Sequence, residues 1–538
     1  MTEKPVTADK AFQFIVVSNR LPVETGPDGV MKWTSSPGGL VTALQPVVAK
    51  SGGAWVGWAG PSSDPAAGRG DVAGQEGPRG WLRSGDPSSW WEDTGEVPAV
   101  PVLPAEAGTG SSGGGGDLEA DGVHAVPVAL SDEDLELYYI GFCNATLWPL
   151  YHDVTATPVY SRRWWHRYVD VNERFADAVC AHAATGATVW AHDYHLQLLP
   201  AMLRRARPDL RIGFFNHIPF PPYELFAQLP WRKEVVEGLL GADLVGFQTA
   251  DGAENFLRAC RRLTDHDVHR SRVQVERPAG SGPRTAHVGA FPISVDAAEL
   301  AVLARTPEVA ERARQIRDEV GNPELLMLGV DRLDYTKGIL HRLRAYGELL
   351  KEGRLKPPNA VLVQVASPSR GEVEQYQRLR EEVERVVGSI NGDFSPVGHP
   401  AVHYLHQSFP REEMAALYLA ADVALVTPLR DGMNLVAKEY VACRHDQGGR
   451  LVLSEFTGAA DELVDAFLVN PHDIDSLKNK IMAAVLAGPE EAARRMHSMQ
   501  RQVFHHDVHD WANEFLGALE GGDPGSPSFP PPAGVARL

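Results

Sequence analysis

Two carboxylates in the stretch VTPLRDGMNLVAKEYVACR, Asp431 and Glu439, stand eight positions apart where an apolar run gives way to a helical pattern. VALVT before them reads as a strand and LVAKEYVACR as a helix, so PLRDGMN joins a strand's carboxyl end to a helix start. Free backbone N–H groups at such a start attract phosphate. A helix rises ~1.5 Å per residue, which puts the two carboxylates roughly 10 Å or more apart. Carboxylates that cleave a glycosidic bond together stand about 5–5.5 Å or ~6.5–9.5 Å apart. Two handles on one long ligand fit better. Asp431 would take sugar hydroxyls, the helix start (Asn434, Leu435, Val436) a diphosphate, and Glu439 a ribose. Taken alone, a capping Asp and a solvated helix Glu account for the pattern equally well.

Further polar groups follow other apolar runs. In GVDRLDYTKG, Arg332 and Lys337 lie five apart in a loop after LLMLGV. A guanidinium fork and a compact ammonium there can neutralise a departing diphosphate, unless Asp331 or Asp334 already pairs with them. Arg20 follows FIVVS, and the glycine pair Gly38–Gly39 allows close backbone approach to a ligand. The pattern is not GxGxxG, so the dinucleotide fingerprint is absent. YYIGFCNATLWPLYH carries Tyr138, Tyr139, Trp148 and Tyr151, suited to a carbohydrate or to a core. WAHDYHL supplies His192, Asp193 and His195, and FFNHIPFP supplies Asn216 and His217. Asp193 and His217 suit sugar hydroxyls. His-Asp-x-His lacks further ligands, so no metal is expected. Arg370, in ASPSRG, is a candidate for phosphate.

Elements that could hold these groups recur along the chain. FIVVS, TVWAH, IGFFN, LVGFQ, LLMLGV, VLVQVA, VALVT, LVLSE and FLVN are short, continuously apolar runs. Amphipathic patterns such as EVAERARQIRDEV and EQYQRLREEVERVV separate many of them. Buried parallel strands alternating with helices predict an α/β protein with a sheet covered on both faces. A chain of 538 residues exceeds one ordinary core, and the runs fall into two series. Two Rossmann-like, doubly wound parallel-sheet domains facing a cleft are therefore expected. The first spans 1–290 and the second 291–495. Residues 496–520 should form a helix packing back on the N-terminal domain. Residues 61–122, rich in Gly, Pro and Ser, read as a flexible insertion, and 521–538 as a disordered tail.

Composition narrows the function classes. A net charge of −19 argues against nucleic acid as partner. Cys143, Cys180, Cys260 and Cys443 are scattered, without a CxxC pair, which argues against a disulfide framework. No run reaches the ~18 apolar residues of a spanning helix, so no membrane partner and a cytoplasmic location are expected. Small-molecule substrates and a homo-oligomer complete the expectation.

SNRLPV, PGGL, WVGWAG, LWPLYH, HDYHL, FFNHIPFP, GFQT, DRLDYTKG, SRG and TPLRDGMNLVAKEYVACR occur in this order. From about residue 12 to about 515, outside the insertion, the chain closely resembles the trehalose-6-phosphate synthases, retaining glycosyltransferases of the GT-B fold. The resemblance implies transfer of glucose from a nucleoside diphosphate glucose to glucose 6-phosphate, with no metal or other cofactor. It implies an N-terminal acceptor domain and a C-terminal nucleotide-sugar domain. Arg20, Trp58, Tyr139, Trp148, Asp193 and Arg370 would serve the acceptor. Gly39, Arg332, Lys337, His217, Asp431, Asn434, Leu435, Val436 and Glu439 would serve the donor, with Arg332, Lys337, Asp431 and His217 the catalytic set. Asn216 stands where many members have Leu, and FFNHIPFP is closer to the actinobacterial branch, where GDP-, ADP- and UDP-glucose are all open as donors. A pseudo-glycosyltransferase joining cyclitols and an inactive sugar-phosphate sensor are the competing readings.

Overall fold

The structure is a computed structural model, and it describes residues 11–25, 31–33, 39–60, 118–120, 123–276, 282–370 and 373–521. Gly38, the expected insertion apart from 118–120, and the expected tail apart from residue 521 lie outside the described residues. The first series of strands comprises β1 (Phe12–Arg20), β2 (Val23–Thr25), β3 (Met31–Trp33), β4 (Ala54–Trp58), β5 (Leu118–Ala120) and β6 (Val123–Pro127). It continues with β7 (Ala183–His192), β8 (Arg211–Asn216), β9 (Leu244–Phe247), β10 (Asp267–His269), β11 (Arg272–Val275) and β12 (Arg284–Ala290). Apart from the β2–β3 hairpin they form one sheet in the order β10-β11-β12-β9-β8-β7-β1-β4-β6-β5. Its centre is parallel, and antiparallel pairs occur only toward the two edges.

The second series is β13 (Leu325–Arg332), β14 (Ala360–Ser367), β15 (Val402–Leu405), β16 (Val423–Val426), β17 (Arg450–Ser454) and β18 (Phe467–Val469). They form a wholly parallel sheet in the order β15-β14-β13-β16-β17-β18. Its four central strands are almost fully buried, as expected of a sheet with helices on both faces. The expected fold class is what the chain adopts.

Both sheets reverse direction near their middle. The first winds outward from β1 through β4 to β6 on one side and from β7 through β8 and β9 to β12 on the other. The second winds from β13 to β15 and, across the seam, from β16 to β18. At such switch points the connections diverge and leave a crevice at the strands' carboxyl ends, where ligands bind in open α/β sheets. Arg20 and His192 end the strands at the first switch point. Arg332 ends β13 at the second, and the Asp431 turn follows β16.

The segment 496–520, expected as one helix, holds parts of two. Pro489–His505 packs on Leu435–Cys443 and β17, while Val508–Leu519 packs on β8, β9 and Gly39–Lys50. Asp507 sets the break: its carboxylate accepts from His509 N and Asp510 N at 2.8 and 3.0 Å, and Asp510 returns a bond to Asp507 N. Phe515 then lies on two glycines. A Cβ at Gly213 or Gly246 would fall 2.7 Å from its ring. No described helix is long and apolar enough to cross a membrane.

Candidate active site

β13 delivers Arg332 to the cleft, and the following loop is fixed from beneath. The fully buried Arg342 donates to Asp331 Oδ2 at 2.7 Å, to Gln364 Oε1 at 2.8 Å and to Thr427 Oγ1 at 3.1 Å. Asp334 accepts from Thr336 N and Oγ1, both at 2.9 Å, and pairs with Arg370 at 3.0 Å. Both loop carboxylates are thus taken by other arginines. Arg332 is left exposed, without an ion pair among the described residues, its guanidinium 5.5 Å from the centre of the Trp148 ring. Gly338 closes the loop at φ 65°, where a Cβ would collide with the Thr427 carbonyl.

Lys337 Nζ donates to Asp431 Oδ2 at 2.6 Å. The same oxygen accepts from Asn434 Nδ2 at 3.1 Å, and Oδ1 accepts from Gly432 N at 3.0 Å. Burial pushes the Asp431 carboxyl up, but the Lys337 charge and hydrogen bond outweigh it and hold the group below its ordinary value. Asn434 caps the helix Leu435–Cys443 by accepting from Ala437 N at 3.2 Å, at φ 78°. The N–H groups of Leu435 and Val436, in the first turn, have no intrahelical acceptor. Glu439 has a separate setting. It accepts from the Tyr418 hydroxyl at 2.7 Å, and burial raises its carboxyl although that bond and Arg411 oppose the shift. It lines a cavity of about 400 Å³ with Arg332, Ser367, Pro368, Phe409 and Val508.

The N-terminal wall comes from the ends of β1, β4, β7 and β8 and from the π-wound segment Leu135–Leu147. Arg20 and Trp58 are register partners, with the guanidinium 5.5 Å from the ring centre. Asp193 follows β7 at φ 74° and ψ 167°, a region sparsely used by residues with a side chain. Its N–H donates to Phe215 O at 2.7 Å, and its Oδ1 accepts from His217 N at 3.1 Å. Burial pushes its carboxyl up to about 6, against the pull of the Tyr194 and His217 amides and of Arg332 and Arg370. His217, lowered to about 3 by burial, is neutral; its Nε2 lies 3.1 Å from His192 Nδ1. Tyr139 stacks on His195 at 5.8 Å and 10°.

The two walls meet at several points. Arg370 lies 4.0 Å from the centre of the Trp148 ring and donates to the Tyr194 hydroxyl at 3.3 Å. A Cβ at Gly432 would collide with the His217 carbonyl, so only glycine permits that approach. Arg430 pairs with Asp153 at 3.3 Å. Three buried nitrogens in this region, Trp148 Nε1, His195 Nδ1 and Arg370 Nε, have no hydrogen-bond partner among the described residues. Trp148 Nε1 and Arg370 Nε can only donate; buried donors left this way are rare, and a ligand rich in oxygen would satisfy them.

The candidates therefore fall into connected groups: Lys337, Asp431 and Asn434; Arg332, Trp148 and Arg370; Asp193 and His217. Gly39 opens the helix Gly39–Lys50. Of the aromatics left open between core and site, Tyr138 is core, with its hydroxyl on Asn19 Oδ1 at 2.8 Å. The same holds for Tyr151, bonded to Gln197. Among the described residues no group of three or more His, Cys, Asp or Glu side chains is arranged to hold a metal. Sequence reasoning missed Asp334, Tyr194, Tyr376 and Arg342 as holders of the site. The signal of Asp334 and Tyr194 was present in DRLDYTKG and HDYHL, whereas Arg342 and Tyr376 lie in the helical stretches that follow and carried none.

Comparison with known proteins gives a consistent set of relatives. The model of glycosyltransferase family 20 matches residues 116–521. The trehalose-6-phosphate synthase of Mycolicibacterium vanbaalenii is 54% identical over 525 residues, covering 97% of this chain and 98% of the relative. That of Mycobacterium tuberculosis strain H37Rv is 54% identical over 516 residues, covering 95% of each. An E. coli structure bound with UDP-2-fluoro glucose matches with a TM-score of 0.77 at 31% identity, covering 95% of this chain and 99% of that one. A UDP-forming α,α-trehalose-phosphate synthase from Burkholderia xenovorans in complex with glucose-6-phosphate matches at 0.76 and 33%, covering 95% and 100%.

Proposed function

The chain belongs to glycosyltransferase family 20, and on that footing we propose that it moves glucose from a nucleoside diphosphate glucose to glucose 6-phosphate, giving α,α-trehalose 6-phosphate. The observation that carries this reading is the pair of facing switch points. Arg332, without an ion pair among the described residues, and the Lys337–Asp431 pair stand at one, and Asp193 and His217 at the other. Cations suit a diphosphate, and buried carboxylates suit hydroxyls.

In the proposed reaction the bond from the anomeric carbon to the diphosphate oxygen breaks. The anomeric hydroxyl of glucose 6-phosphate forms the new bond on the same face, and its proton passes to the leaving phosphate oxygen. Configuration is retained without an enzymatic nucleophile. Arg332, Lys337 and the amides of Leu435 and Val436 stabilise the charge that grows on the diphosphate, an interaction stronger in the transition state than before it. Asp431 and His217 hold the transferred glucose, and Glu439 the ribose. Arg20, Trp58, Tyr139, Trp148, Asp193 and Arg370 hold the acceptor. Arg370 already donates to Asp334, Tyr376 and Tyr194, while its buried Nε has no hydrogen-bond partner among the described residues. No metal enters the reaction.

The test is a panel of GDP-, ADP- and UDP-glucose with glucose 6-phosphate, run with and without a chelator. The expected result is α,α-trehalose 6-phosphate from at least one donor, in equal amount to the nucleoside diphosphate released and undiminished by chelation. No transfer from any of the three would end the reading.

A further inference from the structure

His192 is the last residue of β7 and is fully buried behind the site. Its Nδ1 lies 3.1 Å from His217 Nε2. Burial lowers the pKa of both rings, so both are neutral near pH 7. A contact between two neutral imidazole nitrogens holds one proton: one ring donates and the other accepts. Were His217 Nε2 to donate, His192 would carry its own proton on Nε2. That atom is buried with no partner among the described residues. The aromatic rings packed on the His192 ring, Trp190 at 4.7 Å and Trp511 at 6.5 Å, bring only indole N–H donors, themselves without acceptors among the described residues. An orphaned buried N–H is the rarer and worse defect; a bare ring nitrogen is the milder one.

We propose that His192 is a positioning residue: its Nδ1–H donates to His217 Nε2, and this forces the proton of His217 onto Nδ1. The His217 ring is only partly buried, and its Nδ1 makes no hydrogen bond among the described residues. His217 then offers the transferred sugar a hydrogen-bond donor of fixed orientation. The proposal rests on the reading that His217 faces the donor's glucose. It also links two parts of the fold, because Trp511 of the helix Val508–Leu519 packs against both rings, 6.5 Å from His192 and 6.2 Å from His217.

The full chain labelled with ¹⁵N-histidine tests it, with the His217 signals assigned by their loss in His217→Asn. The expected spectrum has His217 protonated at Nδ1 and bare at Nε2. His192→Asn, whose amide N–H can donate from nearly the same place, should keep that pattern. His192→Phe should lose it and lower kcat/KM for the donor by ~10–100-fold, the usual size of effect for a group that orients an imidazole. It should leave KM for glucose 6-phosphate unchanged. In a His217→Ala background the His192→Phe change should add nothing. His217 protonated at Nε2 in the wild-type spectrum would overturn the proposal, and so would additive losses in the double variant. The spectrum needs no substrate, so it decides the ring pair even if the proposed donor is wrong and even if His192→Phe does not fold.

Discussion

Replacing Asp193 by Asn should make the protein more stable and less active. The wild-type carboxyl titrates at about 6 in the fold against an ordinary 3.8, chiefly because it is buried. Each unit corresponds to about 1.36 kcal/mol, so holding the ionised form in the site costs about 3 kcal/mol. The side chain is 21% exposed, so little of this is relieved by solvent. The sign follows from linkage. The folded state binds the proton more tightly than the unfolded state, so stability falls as pH rises from about 4 through about 6. Asn keeps the shape, tolerates the same backbone and still accepts from His217 N, but carries no charge. Thermal melts of the two proteins should nearly coincide near pH 4 and separate in favour of the variant, by up to about 3 kcal/mol, above pH 6. The variant should also lose roughly 10–100-fold in kcat/KM for glucose 6-phosphate, as expected when hydrogen bonds to a charged group are weakened. The wild-type acid limb near pH 6 in that parameter should vanish with it. A variant less stable at every pH, or a gap that does not change with pH, would refute the reasoning.

Two further changes probe the cleft. Gly432→Ala forces a methyl into the His217 carbonyl and should destabilise by about 1–3 kcal/mol, the range for overpacking; thermal melts check the stability, and transfer assays should show kcat falling with it. Glu439→Gln should raise the donor's KM about tenfold while leaving kcat nearly unchanged, since one charged hydrogen bond to a ribose is uniform binding; steady-state kinetics with saturating acceptor separates the two parameters.

What could be read from the chain alone follows from distance along it. FIVVS, LLMLGV and VALVT announce strands because a parallel sheet covered on both faces needs unbroken apolar runs. Strands in such a sheet end at loops, so the polar residues just after each run marked the cleft. The antiparallel strands 267–275 toward one edge are short and half-exposed, and they lack that pattern. The break at Asp507 depends on a capping box hidden inside a continuous helical pattern. The partners of Asp331 and Asp334 were also not legible. A local reading pairs them with Arg332 or Lys337, whereas the fold gives them Arg342 from the next helix and Arg370 from the neighbouring strand's end. That exchange leaves Arg332 without an ion pair among the described residues. The strained backbone at Asp193 has no sequence signal, because it is imposed by β8 beside it.

In the proposed reaction, fixed positive charge on the C-terminal wall carries the catalysis. Single-turnover rates of glucosyl transfer to glucose 6-phosphate at saturating donor, in Arg332→Ala and in Lys337→Ala, test it most directly. Each rate should fall by roughly 10²-fold or more, the usual effect of removing a preorganised charge stabiliser. A wild-type rate in either variant would contradict it.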